Sequence, residues 1–247
     1  MLTNAAAILL VGRPEPAIDY IHRRTAGGDS DQRVRRESRS LVEQLNEVFL
    51  AAQANNPIRH IPSGLAVGQV RQLPEHAVRE AIVNGVAHRD WNSTAPTVVE
   101  HIGGTLRVTS PGGFMPGVNP SNIITHPSKS RNGALTRLLA AIRVAEQEGI
   151  GVDRMVGGML RIGLPAPSIE EQEGPDVVTT LVGQTIRESW MRWLRLFDDR
   201  DVIEDLRLLM IADTLATRRW IDGDVAAHRL QVRAAEAHDS LNRFVDV

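Results

Sequence analysis

Apolar positions along the chain fall into three stretches of different rhythm. In the first, to residue 62, a short apolar run at 5–11 precedes a loop marked by Gly12, Pro14 and Pro16. A charged stretch (Arg33, Arg35, Arg36, Glu37, Arg39) leads into Leu41, Leu45, Val48 and Phe49, whose spacing by threes and fours predicts an amphipathic helix. The second stretch, 63–183, mixes periods. A helix is predicted over 74–90: Pro74 suits a first turn, Glu75 suits the positive helix end, and Val78, Ala81, Ile82 and Val86 form the apolar stripe. Two β-branched runs flanking Gly103-Gly104 predict a hairpin over 97–110. A turn at Pro111-Gly112-Gly113, a long polar loop through Asn132, and a helix over 133–148 with Leu135, Leu138, Leu139 and Ile142 on one side follow. Then come a glycine turn at Gly149-Ile150-Gly151, a helix over 152–162 and a strand over 177–182. The third stretch, 184–247, reads as helical, with one helix over 206–221 and a helix-turn-helix pair over 222–230 and 234–244. Elements in this order make an α+β sandwich, not an alternating parallel fold.

Composition narrows the classes. The chain has 247 residues, 42% hydrophobic and 23% charged, enough to bury a core in one large domain or two modest ones. Its net charge of -2 does not suggest a strongly basic nucleic-acid binder. Zero cysteines exclude disulfides, thiolate metal sites and cysteine nucleophiles together. No apolar run approaches the roughly 20 residues that span a bilayer, and no basic stretch precedes the run at 5–11, so a cytoplasmic protein is expected. Lys129 is the only lysine, which we read as codon usage.

The candidate chemistry concentrates on one helix. Glu80, Asn84 and His88 recur every fourth residue and project from one face. A carboxylate and a carboxamide one turn apart suit a divalent cation, or a water aimed at a phosphate; the same spacing also suits a solvated helix face. Gly149-Ile150-Gly151 precedes a helix whose first N–H groups could cradle a phosphate, although glycines also simply end helices. Neither a P-loop nor a full G-x-G-x-x-G fingerprint occurs. His60, His76, His101 and His126 are scattered without an H-E-x-x-H, and Ser110 lacks the flanking glycines of a nucleophile elbow. Lys129, Arg131 and Asn132 mark a polar loop able to reach a phosphate or to lie solvated.

The run from Pro74 to Asn84, continued by Ala87-His88-Arg89-Asp90-Trp91, resembles the P-x-x-A-[LI]-R-E-A-[IL]-V-N-A-[LV]-x-H-R-D-[YW] signature. That signature belongs to transcriptional regulators carrying a divergent histidine-kinase-type (GHKL) ATPase domain. Further matches follow in order: S-P-G-G at Ser110 to Gly113, R-N at Arg131-Asn132, E-x-x-G-x-G-[IV] at Glu146, Gly149, Gly151 and Val152, and G-L-x-x-P at Gly163, Leu164 and Pro167. The resemblance, over 73–182, implies a two-layer α/β sandwich like the ATPase domains of gyrase, MutL, histidine kinases and heat-shock chaperones. It implies ATP and Mg²⁺ as cofactors. Glu80 would then be the catalytic residue orienting the hydrolytic water, and Asn84 the Mg²⁺ ligand, with His88 beside them on the nucleotide. Gly112 and Gly113 would lie beside the adenine, Arg131 in or near the lid, and Gly149 and Gly151 around the phosphates. This sequence departs from the superfamily at Ser110-Pro111, where an aspartate would receive the adenine amino group, and at Gly85, where many relatives have alanine.

The ends extend the resemblance. Residues 4–12 are similar to the last part of a Schlafen-type AlbA-like domain, whose remainder would precede Met1, and the C-terminal helices stand where relatives place a winged helix. The expected division is an AlbA-like remnant plus a helix at 1–62, the ATP-binding domain at 63–183, and a truncated winged helix at 184–247. The function expected is a nucleotide-binding transcriptional regulator with weak or no hydrolysis, no membrane partner, DNA as a possible second partner and a homodimer as a possible assembly. The alternatives are a DNA-binding regulator that keeps the ATPase-like domain as scaffold, and an inactive truncated gene product.

Overall fold

A computed structural model describes residues 3–63, 66–127, 129–145, 149–183, 186–196 and 204–246. The chain enters through α1 (Asn4–Leu10), β1 (Ile18–Arg23), β2 (Gln32–Arg35) and α2 (Leu41–Ala54). A small hairpin of β3 (Ile58–Ser63) and β4 (Ala66–Arg71) follows, then α3 (Glu75–Ala87), β5 (Thr97–Ile102) and β6 (Thr105–Pro111). Next come α4 (Gly133–Ala141), α5 (Gly151–Arg161), β7 (Ser168–Gln172) and β8 (Asp176–Val182). The described C-terminal helices are α6 (Glu188–Leu194), α7 (Leu206–Arg218), α8 (Gly223–Leu230) and α9 (Ala234–Val245).

Six strands form one sheet in the order β2-β1-β5-β6-β8-β7, antiparallel throughout except for the parallel pair β1–β5. Alternation sets its faces. Tyr20, Val99, His101, Leu106, Val108 and Leu181 are buried on the side covered by α2 and α3. The other side carries charged pairs, among them Arg23 with Glu100 and both Arg33 and Arg35 with the buried Asp19. This is a mixed α/β sandwich with a separate C-terminal helical region, coarsely the architecture of the GHKL ATPases.

The helix α2 begins on a capping box in which Ser40 and Glu43 satisfy each other's backbone N–H groups. Inside it, the buried Gln44 accepts from the N–H groups of Ala17 (2.9 Å) and Ile18 (3.3 Å), which fixes the start of β1. Thus β1, β2 and α2, expected within an N-terminal segment at 1–62, share sheet and core with residues 63–183. The apolar run at 5–11 is α1, whose Leu9 is buried in that same core.

The predicted helices at 41–49, 74–90 and 152–162, the hairpin at 97–110 and the strand at 177–182 all form, with shifted ends. The helix expected over 133–148 stops at Ala141, and Arg143 takes a left-handed φ of 59° that breaks the spiral. Glu146 and Gln184 lie outside the described residues. Five strands were not legible. Within β2 only Val34 is buried, and β7 is almost wholly exposed, so neither edge strand shows an apolar alternation. Strand β1 places Asp19 and His22 among its apolar residues and reads as polar.

The C-terminal helices have their own apolar cluster, built from Trp190, Leu194, Leu209, Ile211 and Leu230 on the far side of α5. The helix α5 therefore has two buried sides: Met155 and Met159 face the sandwich, Val156 and Leu160 face the helical region. No described helix is long and apolar enough to cross a membrane.

Candidate functional site

The site forms where α3, α5, the β6 exit and the loop at 112–132 converge. Helix α3 lies close on the sheet because Gly85 has no side chain; a Cβ there would sit 2.6 Å from Val108 Cγ1. The Gly85 carbonyl accepts hydroxyls from both Thr97 (3.1 Å) and Ser110 (2.6 Å), which pins the helix to the two strands. From the same helix Glu80, Asn84 and His88 line one cleft and do not form an open helix face. Glu80 is 2% exposed, with one carboxylate oxygen 3.3 Å from the Arg79 guanidinium.

Gly149 and Gly151, at the start of α5, line the same cleft. A Cβ on Gly151 would stand 2.6 Å from Glu80 Oε2 and 3.4 Å from Asn84 Nδ2. The carboxylate, the carboxamide and the glycine bend therefore meet, although 67 or more residues separate Asn84 from Gly151. The bend places the positive end of an 11-residue helix at the cleft lining, beside the Glu80 carboxylate.

Gly112 and Gly113 form another wall. Gly112 takes a φ of 98° and donates its N–H to Pro175 O (2.8 Å), a conformation that suits glycine. Gly113 lies against the Glu171 carboxylate, which accepts from the Phe114 N–H at 2.7 Å. Where the resemblance implies an aspartate, Ser110 lines the cleft; its hydroxyl proton goes to Gly85 O, which leaves its oxygen as an acceptor.

Arg131, expected in or near the lid, is not among the lining residues. Its guanidinium instead donates to His88 O (3.2 Å) and Gly113 O (2.6 Å), and the neighbouring Asn132 amide donates to Ala87 O and Arg89 O. This pair staples the loop to the C-terminal end of α3 and holds the wall from behind. Burial, with the Arg131 charge behind it, lowers the pKa of His88, which favours neutral imidazole in the cleft. Arg89, next in the H-R-D run, is buried and donates to the carbonyls of Ala17, Ser93 and Ala95, a structural role.

Lys129, on the loop marked in the sequence as able to reach a phosphate, lines the cleft, and lining residues that the sequence did not single out include His126 on the loop, Thr136 on α4 and Thr179 on β8. Met115, Val118, Val152, Met155, Ile169 and Val177 add apolar surface. Only the folded loop could disclose these, since each comes from an ordinary core or loop position in the sequence. The lining combines apolar side chains with one carboxylate, one carboxamide, one ammonium and the first residues of α5. Among the described residues no group of three His, Asp or Glu side chains could hold a metal alone. A divalent ion held by Asn84 and Glu80 would need phosphate oxygens to complete its shell.

Comparison with known proteins agrees at a coarse level. Residues 97–180 match the family described as "Putative ATP-dependent DNA helicase recG C-terminal". The chain is similar to the crystal structure of the DIP2311 protein from Corynebacterium diphtheriae, with a TM-score of 0.91 and 32% sequence identity. That similarity covers 98% of this chain and 50% of the other, so the chain spans half the length of that relative. No curated protein gives a significant match. Part of the chain thus matches a GHKL-type ATPase domain, a family associated with nucleotide binding.

Proposed function

We propose that the cleft binds ATP with Mg²⁺, as the sensing part of a transcriptional regulator whose hydrolysis is slow or absent. The observation that carries this reading is the missing Cβ of Gly151, which lets the start of α5, the Glu80 carboxylate and the Asn84 carboxamide share one wall of a cleft that is also lined by apolar side chains. In this reading Asn84 is an oxygen ligand to Mg²⁺ and Glu80 orients water at the terminal phosphate, with His88 next to them. Gly149 and Gly151 flank the phosphates and Gly112 and Gly113 flank the base, while Arg131 supports their wall through backbone carbonyls. Mg²⁺ would supply charge neutralisation on the phosphate oxygens.

DNA contact and self-association are weaker parts of the reading. Helices α8 and α9 are joined by three residues, 231–233, as in a helix-turn-helix. Arg207 and Arg233 pair with Glu236, and Arg243 pairs with Asp205, all as exposed surface ion pairs.

Thermal unfolding tests the central claim. Mg²⁺-ATP at roughly a hundredfold over Kd raises the Tm by about 5 °C. Asn84→Ala abolishes that shift while its circular dichroism stays that of the parent. Absence of a shift with every adenine nucleotide removes the proposal.

A further inference from the structure

One wall of the cleft is held by a residue of the C-terminal helical region. The loop at 112–132 contributes Met115, Val118, Ile123, His126 and Lys129 to the lining. Its near end is fixed by Arg131 and Asn132, as described above. Its outer turn is fixed by Gln231, more than 100 residues away in sequence. Gln231 Oε1 accepts from the Ile124 N–H (2.9 Å), and its Nε2 donates to Pro120 O (2.9 Å). The Thr125 hydroxyl donates to the Gln231 backbone carbonyl (2.7 Å). All three bonds converge on the residue that ends α8 in the left-handed conformation, with φ 56°.

Packing follows the same route. The Ile124 side chain lies against the apolar cluster of the C-terminal helices, although its neighbour Ile123 lines the cleft. On α5 Val152 lines the cleft and touches both apolar clusters, while Val156, one turn further along, is buried in the C-terminal one. A loop displacement large enough to reshape the cleft must break the Gln231 bonds or carry the α8–α9 turn with it.

We propose that Gln231 is a positioning residue that makes the occupancy of the cleft and the placement of α7–α9 interdependent. The ligand arm of this proposal rests on the nucleotide reading above; the clamp itself does not. Because coupling between two sites is reciprocal, strain applied at either end is felt at the other.

Hydrogen exchange on the full chain tests it with two variants. Gln231→Gly tolerates the left-handed backbone and removes both side-chain bonds; Thr125→Val removes the third from the loop side. In the ligand-free protein, Gln231→Gly accelerates exchange of the amides at 118–126 by about tenfold, and Thr125→Val accelerates those at 228–232. With Mg²⁺-ATP, protection in the parent reaches both 118–126 and 223–245. In Gln231→Gly it stays at 80–88 and 149–155. Unchanged loop exchange in ligand-free Gln231→Gly overturns the proposal. So does a parent whose amides at 80–88 respond to Mg²⁺-ATP while those at 223–245 do not. If Mg²⁺-ATP alters no amide in the parent, the nucleotide reading fails, and the ligand-free Thr125→Val comparison decides the clamp by itself.

Discussion

One absent methyl group sets the geometry of the cleft. Gly151 faces Glu80 Oε2 at a distance that a Cβ would reduce to 2.6 Å, well inside van der Waals contact. The atom in the way is the far end of a flexible side chain, so Gly151→Ala displaces the Glu80 carboxylate and leaves the backbone in place. The propensity gain of alanine over glycine, about 1 kcal/mol in a helix interior, is smaller at this first helical position. The expected outcome is a Tm equal to or slightly above the parent, with affinity for Mg²⁺-ATP at least about tenfold weaker; calorimetric titration of both proteins checks it. At this scale the sequence was informative where a residue acts through its own side chain or its lack of one. Glu80, Asn84, His88 and the four glycines all line the cleft. The partners of Arg131, two backbone carbonyls of which one is 43 residues away, have no signature in a string of letters.

At the level of elements, the position of α3 depends on its closeness to β6. Gly85 costs the isolated helix about 1 kcal/mol of propensity relative to alanine, so propensity alone predicts that Gly85→Ala stabilises. The structure predicts the opposite. The new Cβ would meet Val108 Cγ1 at 2.6 Å and Thr97 Cγ2 at 3.2 Å, both in fully buried surroundings. Overpacking of this kind costs about 1–3 kcal/mol, and it also strains the bonds from Thr97 and Ser110 to the Gly85 carbonyl. Urea unfolding of Gly85→Ala should therefore show a net loss of up to about 2 kcal/mol. Adding Val108→Ala should cost less than the sum of the single changes, since the smaller residue makes room for the methyl group. The same comparison shows why elements differed in legibility. Helices α2, α3 and α5 bury a continuous stripe and were readable; β2 and β7 bury almost nothing, being sheet edges, and β1 hides Asp19 behind Arg33 and Arg35 from a neighbouring strand.

The whole molecule responds to acid through histidines that the fold keeps neutral. His101, 1% exposed on β5, has its pKa pushed down to about 4, first by burial and then by the His22 ring beside it. Its Nδ1 lies 3.4 Å from the Tyr20 hydroxyl, which itself receives the Asn55 amide, so the ring is enclosed by the sheet and α2. Burial also lowers the pKa of His76 and of His88, with arginine charges adding to the effect. For each, the native state disfavours the charged form. Above the unfolded value of about 6.5 neither state binds the proton, and this contribution to stability is complete. As the pH falls from about 6.5, the unfolded chain protonates first, and stability is lost until the native value is reached, which for His101 is about 4. For His101 alone the loss over that window is about 3 kcal/mol. Urea midpoints measured from pH 7.5 to pH 4.5 should fall steeply in the parent. His101→Gln, which cannot take up a proton, should show a distinctly flatter profile with the residual slope left by His76 and His88. A profile as steep as the parent's would mean that the acid sensitivity lies outside the contact between α2 and the sheet.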